Sequence, residues 1–177
     1  MPTISAVLAA LAQAECPVLI IGANALEAHG YARFTVDVDC LIAATSLEQL
    51  KAALARHGFM HAGSMTSFHE FWFEGKPGGM PVHAMFVDDS TFQKMWERSV
   101  PCSLSGSPLR APCVAHLVAL KLHAVKNNPK RLHKDIEDVR RLLEQNAGAV
   151  SPSELAEISA RYASADAVAV LKSEGFL

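Results

Sequence analysis

Hydrophobic residues form short unbroken runs along the first two thirds of the chain and recur at helical spacing along the last third. The run at residues 18–21 is fully apolar, which is typical of a buried strand. Apolar residues three and four positions apart, as in residues 47–56, predict helices with one buried face. The pattern predicts strands at residues 18–21, 36–42, 59–61, 69–74 and 80–87, and helices before Pro17 and at residues 23–29, 47–56 and 91–98. It then predicts extended segments at 100–104 and 108–111, and helices at 115–127, 134–145 and from about 151 to about 172.

These elements divide the chain into an α/β (α+β) core over residues 1–113 and a C-terminal helical region over residues 114–177. The glycine-rich stretch at residues 75–79 predicts a turn, so the strands on either side of it should pair as a hairpin. A length of 177 residues lies within the usual size of one domain. We therefore expect the helical region to pack on the core as a single compact unit.

Composition narrows the class of protein. Half of the residues are hydrophobic and the formal net charge is -2, which excludes a disordered chain and gives no basic excess for sequence-independent binding to duplex nucleic acid. The four cysteines are widely spaced, without the close pairs of a zinc site, and favour a reducing, cytoplasmic location: Cys16, Cys40, Cys102 and Cys113. The apolar N-terminus lacks a basic n-region and a full-length span, so we predict an amphipathic helix and no membrane association.

Two aspartates, Asp37 and Asp39, stand one residue apart in the predicted strand at 36–42. Side chains alternate between the two faces of a strand, so both should point the same way, with Cα atoms roughly 6.6 Å apart. Carboxylates at that separation can share a divalent cation. The alternative is that both lie on the solvated face of an edge strand and bind nothing.

A glycine corner precedes this pair. The apolar run ends at Gly22, and the small residues Ala23 and Asn24 lead into helix formers. Glycine lets the backbone approach a ligand closely, and a helix that begins after a strand can face phosphate oxygens. A single glycine after a strand is by itself a weak signal and is more often an ordinary turn.

The glycine corner at Gly22 and the aspartate pair belong to a longer sequence pattern, G-x-x-A-x-x-x-x-G-x-x-R-x-T-x-D-x-D. Its seven fixed positions are Gly22, Ala25, Gly30, Arg33, Thr35, Asp37 and Asp39. The string resembles the nucleotidyltransferase fold of the DNA polymerase beta superfamily, and in particular the minimal branch that includes the abortive-infection toxin-type transferases. The resemblance implies a mixed sheet flanked by helices, with a C-terminal helical region.

The resemblance also implies an activity: transfer of a nucleoside monophosphate from a nucleoside triphosphate such as ATP to a hydroxyl acceptor. The acceptor would be RNA, a protein or a small molecule, the cofactor would be a divalent metal (Mg or Mn), and an antitoxin-like protein is a possible partner. Asp37 and Asp39 would hold the metal and take part in catalysis.

The third carboxylate of the family corresponds here to His83, on the predicted strand at 80–87. An imidazole suits manganese or zinc better than magnesium, so His83 changes the metal preference, supplies a base, or marks a weakened enzyme. Glu70 and Asp88 are weaker candidates for the missing carboxylate. The alternative function is a catalytically degenerate nucleotide-binding or protein-interaction module with the same fold.

The remaining candidates would bind the nucleotide. Ala23 stands where many relatives have serine, which leaves backbone N–H groups as phosphate ligands, and Asn24 is either a replacement donor or a helix cap. Arg33 would pair with the triphosphate, hold Asp37 or be a solvated loop charge, and Thr35 shares the strand face of Asp37. The helical region resembles the family's second block, in which Lys121 and Lys134 would face the triphosphate; for Asp135 and Asp138 we favour structural ion pairs.

Overall fold

A computed structural model describes residues 3–65, 68–76 and 80–177. The chain forms two compact units. The first comprises the residues up to Ala28 together with Ala32–Pro112, and the second comprises His29–Tyr31 and Cys113–Leu177. The predicted α/β class is confirmed, since helices accompany a mixed sheet. The packing of the helical region on the core as a single unit stays a prediction.

The first unit contains a five-stranded sheet. Its strands are β1 (Leu19–Ile21), β2 (Val38–Ala43), β3 (Phe59–Ser64), β4 (Phe68–Phe73) and β5 (Val82–Val87), in the spatial order β1-β2-β5-β4-β3. Only the central pair, β2 with β5, is parallel, and the other neighbours are antiparallel. The predicted hairpin is confirmed as the pairing of β4 with β5, whereas three residues of its turn, 77–79, lie outside the described residues.

Helices and a small hairpin complete this unit. They are α1 (Ile4–Ala12), α2 (Gly22–Ala28), a 3-10 turn (Ala44–Ser46), α3 (Leu47–Arg56), α4 (Asp89–Glu97), β6 (Val100–Leu104) and β7 (Ser107–Ala111). Leucines of α1 and α3 pack with Cys40, Ala84 and Phe71, which lie on one face of the sheet. Because strand residues alternate between faces, Asp39, His83 and Glu70 belong to the face opposite this core.

The second unit is helical in its described residues. It contains α5 (Val114–Asn127), a 3-10 turn (Pro129–Arg131), α6 (Leu132–Gln145), α7 (Pro152–Tyr162) and α8 (Ala165–Ser173). The prediction of one helix from about 151 to about 172 is wrong. The chain breaks between α7 and α8, where the Ser164 hydroxyl accepts a hydrogen bond from the Ala167 amide and caps the new helix.

Among the residues that the structure describes, no helix combines the length and the apolar character needed to cross a membrane.

Candidate metal-binding active site

A row of three ionisable residues crosses the centre of the sheet. The backbone register pairs Asp39 of β2 with His83 of β5, and His83 with Glu70 of β4. Directly opposed residues share a face of the sheet, so the three side chains stand side by side. Ile21, at the end of β1, pairs with Asp39 and ends the row on that side.

Asp37 reaches this row from outside the sheet. The prediction of a strand over residues 36–42 is wrong at its start, because β2 begins at Val38 and Asp37 lies just before it. Two side chains fix this position instead of strand pairing. The Thr35 hydroxyl donates to the Asp37 carboxylate through a short hydrogen bond, and the buried Asn24 amide donates to the Asp37 carbonyl at 3.4 Å.

Asp37, Asp39 and His83 together form a possible ligand set. One ligand atom from each lies within 4.8 Å of the other two. His83 Nδ1 is 3.2 Å from Asp39 Oδ1 and 3.9 Å from Asp37 Oδ2, and the three side chains are between 23% and 32% exposed. Two carboxylates and one imidazole suit Mn²⁺ or Zn²⁺ better than Mg²⁺, which prefers oxygen ligands in an octahedron.

The second nitrogen of His83 also faces a carboxylate. Nε2 lies 3.4 Å from Glu70 Oε1, and the Phe68 ring packs edge-on against the imidazole at a centroid distance of 5.1 Å. The hydrogen bond with Asp39 raises the pKa of His83, burial opposes this increase, and Glu70 and Asp37 add to it. An Nε2–H donated to Glu70 would leave the Nδ1 lone pair directed at the two aspartates.

The backbone of Gly22 lies directly against the Asp39 side chain. It begins α2 with φ +66°, a conformation that favours glycine, and a Cβ at this position would overlap Asp39 Oδ2 and lie 3.0 Å from Asp39 Cβ and Cγ. The glycine corner and the aspartates therefore converge. The role of this corner in phosphate binding stays a prediction.

The other predicted nucleotide ligands lie in diverse surroundings. Ala23 is buried, and the half-buried Arg33 donates from Nη1 to the Phe34 carbonyl at 3.4 Å. In the second unit, Lys134 is exposed, while Lys121 is buried and already bound by carboxylates. Contact of these four residues with a nucleotide stays a prediction.

The buried Lys121 joins two helices of the second unit. Its Nζ donates to Asp135 Oδ1 at 2.9 Å and to Asp138 Oδ2 at 2.6 Å, and Arg131 Nε donates to Asp135 Oδ2 at 2.6 Å. The structural ion pairs expected for Asp135 and Asp138 are therefore present. Their burial was not predicted, and the family's second block, which contains all four residues, was the only signal for the cluster.

Solved structures of the same architecture identify the fold. ANT(2″)-Ia, in a crystal structure in complex with adenylyl-2″-tobramycin, has a TM-score of 0.68 at 18% identity, over 90% of this chain and 97% of that chain. The fold is that of the nucleotidyltransferases. A solution structure of the antibiotic-resistance factor ANT(2″)-Ia gives a TM-score of 0.67 at 15% identity, over 97% of this chain and 94% of that one.

A third structure with the nucleotidyltransferase fold is an antigenic nucleotidyltransferase-like protein from Paracoccidioides brasiliensis. Its TM-score is 0.57 at 16% identity, over 96% of this chain and 90% of that chain. No protein-family model matches the sequence, and no curated protein matches it. Likeness at these identities concerns the fold, and the toxin-type branch stays a prediction.

Proposed function

We propose that the chain is a metal-dependent nucleotidyltransferase that moves a nucleoside monophosphate from a nucleoside triphosphate to a hydroxyl acceptor. The observation that carries the proposal is the convergence of Asp37, Asp39 and His83 beside the Gly22 corner, on a nucleotidyltransferase fold. The supporting chemistry is that nucleotidyl transfer depends mainly on positioning and on charge stabilisation.

Asp37, Asp39 and His83 Nδ1 would hold the divalent metal, which when bound neutralises charge on the reacting phosphate. Thr35 and Asn24 keep Asp37 in place from outside the sheet. Glu70 Oε1, 3.4 Å from His83 Nε2, would orient the imidazole by accepting its second N–H, as carboxylates commonly do behind metal-binding histidines.

In the transfer itself, the acceptor oxygen bonds to the α-phosphorus as the bond to the pyrophosphate oxygen breaks. The hydroxyl proton passes to a carboxylate of the site, and pyrophosphate leaves with the electron pair of the broken bond. Glu70 is the candidate for this base because it borders the ligand set without belonging to it.

The proposal also specifies the class of nucleotide donor and of acceptor. ATP is the proposed donor, and a small molecule with hydroxyl groups is the favoured acceptor because ANT(2″)-Ia was solved with adenylyl-2″-tobramycin. RNA and protein acceptors follow from the resemblance to the wider nucleotidyltransferase family, and an antitoxin-like partner follows from the resemblance to its toxin-type branch.

A degenerate nucleotide-binding or interaction module is the second candidate. The observation that favours it is His83 itself, which stands in place of the third carboxylate and contacts Asp39 and Glu70 through its two nitrogens. A protonated His83 would compensate the aspartates without any metal.

Radiolabelled ATP, with label on the α-phosphate, separates the two candidates. We expect pyrophosphate release and label transfer in the presence of Mn²⁺ and an acceptor panel of aminoglycosides, RNA and protein. Asp39→Asn should abolish transfer, whereas Asp166→Asn, an exposed aspartate on α8, should leave it unchanged. ATP binding without pyrophosphate release under Mg²⁺, Mn²⁺ or Zn²⁺ would favour the degenerate nucleotide-binding module. Absence of nucleotide binding would contradict the transferase and leave only the interaction module.

A further inference from the structure

Two histidines and a serine form a separate cluster on the β3–β4 hairpin. His61 Nε2 lies 3.3 Å from His69 Nδ1, and the Ser64 hydroxyl oxygen lies 2.9 Å from His69 Nδ1 and 3.4 Å from His61 Nε2. His69 pairs with Ala84, a residue of the core face, whereas its neighbour Glu70 pairs with His83. The cluster therefore lies on the opposite face of the sheet from the candidate active site.

An irregularity in β3 creates this cluster. His61 pairs with Phe71 and Ser64 pairs with His69, but the register shifts between His61 and Gly63. Residues three apart on a regular strand face opposite ways, and the extra residue of a β-bulge reverses this alternation. As a result, His61 and Ser64 both face the side on which His69 stands.

Two of the three distances match the ligand spacing of a tetrahedral metal centre, and the third, 2.9 Å between the Ser64 hydroxyl and His69 Nδ1, is that of a hydrogen bond. Zinc binds histidine nitrogen at about 2.0–2.1 Å, so two ligands of a regular tetrahedron are about 3.3 Å apart. The atoms of the cluster form a triangle with edges of 2.9, 3.3 and 3.4 Å. His61 and Ser64 are exposed, which leaves the fourth position accessible to water.

Burial is the main influence on the protonation of His69. Burial lowers the pKa of His69, and the charges of His61 and Lys51 lower it further, whereas Glu48 acts to raise it. The net lowering of this pKa favours the neutral imidazole, which is the form that binds a metal. Glu48 of α3 carries a negative charge that interacts with both histidines. Imidazole nitrogen is a ligand for zinc, copper and nickel, whereas magnesium and calcium prefer oxygen.

We propose that His61 Nε2 and His69 Nδ1 bind a divalent transition-metal ion of the Zn²⁺ type, with the Ser64 hydroxyl and water completing a tetrahedral site. This site is independent of the nucleotidyl-transfer proposal, because it shares no residue with Asp37, Asp39 and His83.

Zn²⁺ titration of the full chain, with any histidine tag removed, tests the proposal. The double substitution Asp37→Asn with Asp39→Asn weakens metal binding at the candidate active site. Calorimetry on this variant then measures Zn²⁺ binding to the β3–β4 hairpin. We expect one Zn²⁺ per chain. His61→Ala and His69→Ala should each weaken binding by at least about tenfold, since loss of even an outer partner commonly costs about 10- to 100-fold.

His133→Ala, which removes an exposed histidine of α6, is the matched control and should leave the affinity unchanged. NMR of ¹⁵N-labelled histidines provides a second readout, in which Zn²⁺ should shift His61 Nε2 and His69 Nδ1. Equal Zn²⁺ affinity in either alanine variant, shifts confined to other histidines, or no saturable binding in the double-substituted chain would overturn the proposal.

Discussion

Lys121→Met tests whether the buried cluster of the second unit is structural. The substitution keeps a side chain of similar length and removes the ammonium that donates to Asp135 and Asp138 at 2.9 and 2.6 Å. Both carboxylates are almost fully buried, so water cannot replace the lost donor. Arg131 would still donate to Asp135, whereas Asp138 would lose its contact with Lys121.

The expected cost follows from these contacts. Each hydrogen bond to a charged group contributes about 1.5–3 kcal/mol, and loss of one partner of a buried ion pair costs about 3–5 kcal/mol. Because Arg131 still compensates part of the charge on Asp135, we expect a loss of about 3 kcal/mol. At about 2–4 °C per kcal/mol for a chain of this size, the melting temperature should fall by about 6–12 °C.

Thermal and urea unfolding of the purified chain measure this loss directly. Lys134→Met is the matched control, because Lys134 is the exposed lysine of α6 and should change the unfolding free energy by no more than about 0.5 kcal/mol. Both variants would also be tested for ATP binding.

A melting temperature for Lys121→Met within about 2 °C of the unsubstituted chain would refute the structural reasoning, given the expected 2–4 °C per kcal/mol. If ATP binding were lost at the same time, Lys121 would serve the nucleotide, as the resemblance to the family's second block implies.

Three further predictions concern the site and the pH dependence of stability. Gly22→Ala should displace the Asp39 carboxylate and so weaken Mn²⁺ binding, which electron paramagnetic resonance measures. The positive φ at this position should also cost about 1–2 kcal/mol of folding free energy. An unchanged Mn²⁺ affinity would contradict the close approach of residue 22 to the Asp39 carboxylate. In metal-free protein, NMR titration should show a lower pKa of His83 after Glu70→Gln, because the Glu70 carboxylate helps to raise that pKa; an unchanged value would exclude this contact. Although burial acts to raise the pKa of Asp135, hydrogen bonds from Arg131 and Lys121 hold it below the usual value. Its stabilising contribution should be complete above about pH 3.9 and disappear as the pH falls through the lower folded value. The difference in unfolding free energy between the natural chain and Asp135→Asn should therefore narrow in acid, and a constant difference would contradict the assignment.

Much of the candidate site could be predicted because its residues carry strong local signals. Asp37 and Asp39 are unusual in an apolar segment, and Gly22 ends an apolar run. The parallel pairing of β2 with β5 then places Asp39 opposite His83. The position of Asp37 outside β2 could not be predicted, because Thr35 and Asn24 fix it through tertiary hydrogen bonds.

The contact of Glu70 with His83 was harder to predict. Glu70 reaches it only through the register of the β4–β5 hairpin, and register depends on turn geometry that the residue pattern does not specify. The buried state of Lys121 was equally hidden, because lysine is almost always exposed unless it is paired. Its partners lie on the next helix, 14 and 17 positions away.

The break before α8 has a different cause. After Pro152, the segment up to residue 172 contains neither glycine nor proline, so intrinsic preference favours one continuous helix. Ser164, followed by Asp166 in the first turn of α8, is the capping signal that marks the second start.

The parallel pairing of β2 with β5 means that the candidate metal site exists only in the folded chain. Asp39 and His83 are 44 positions apart, so they meet only when the centre of the sheet has formed. An ion held by both would bind the folded chain and not the unfolded one, adding about 2.7 kcal/mol to the free energy of unfolding at a free concentration of 100 times its Kd. Thermal-shift screening with different ions, in a chain that carries His69→Ala to remove the proposed hairpin site, could therefore rank the metals of this site before any acceptor is known.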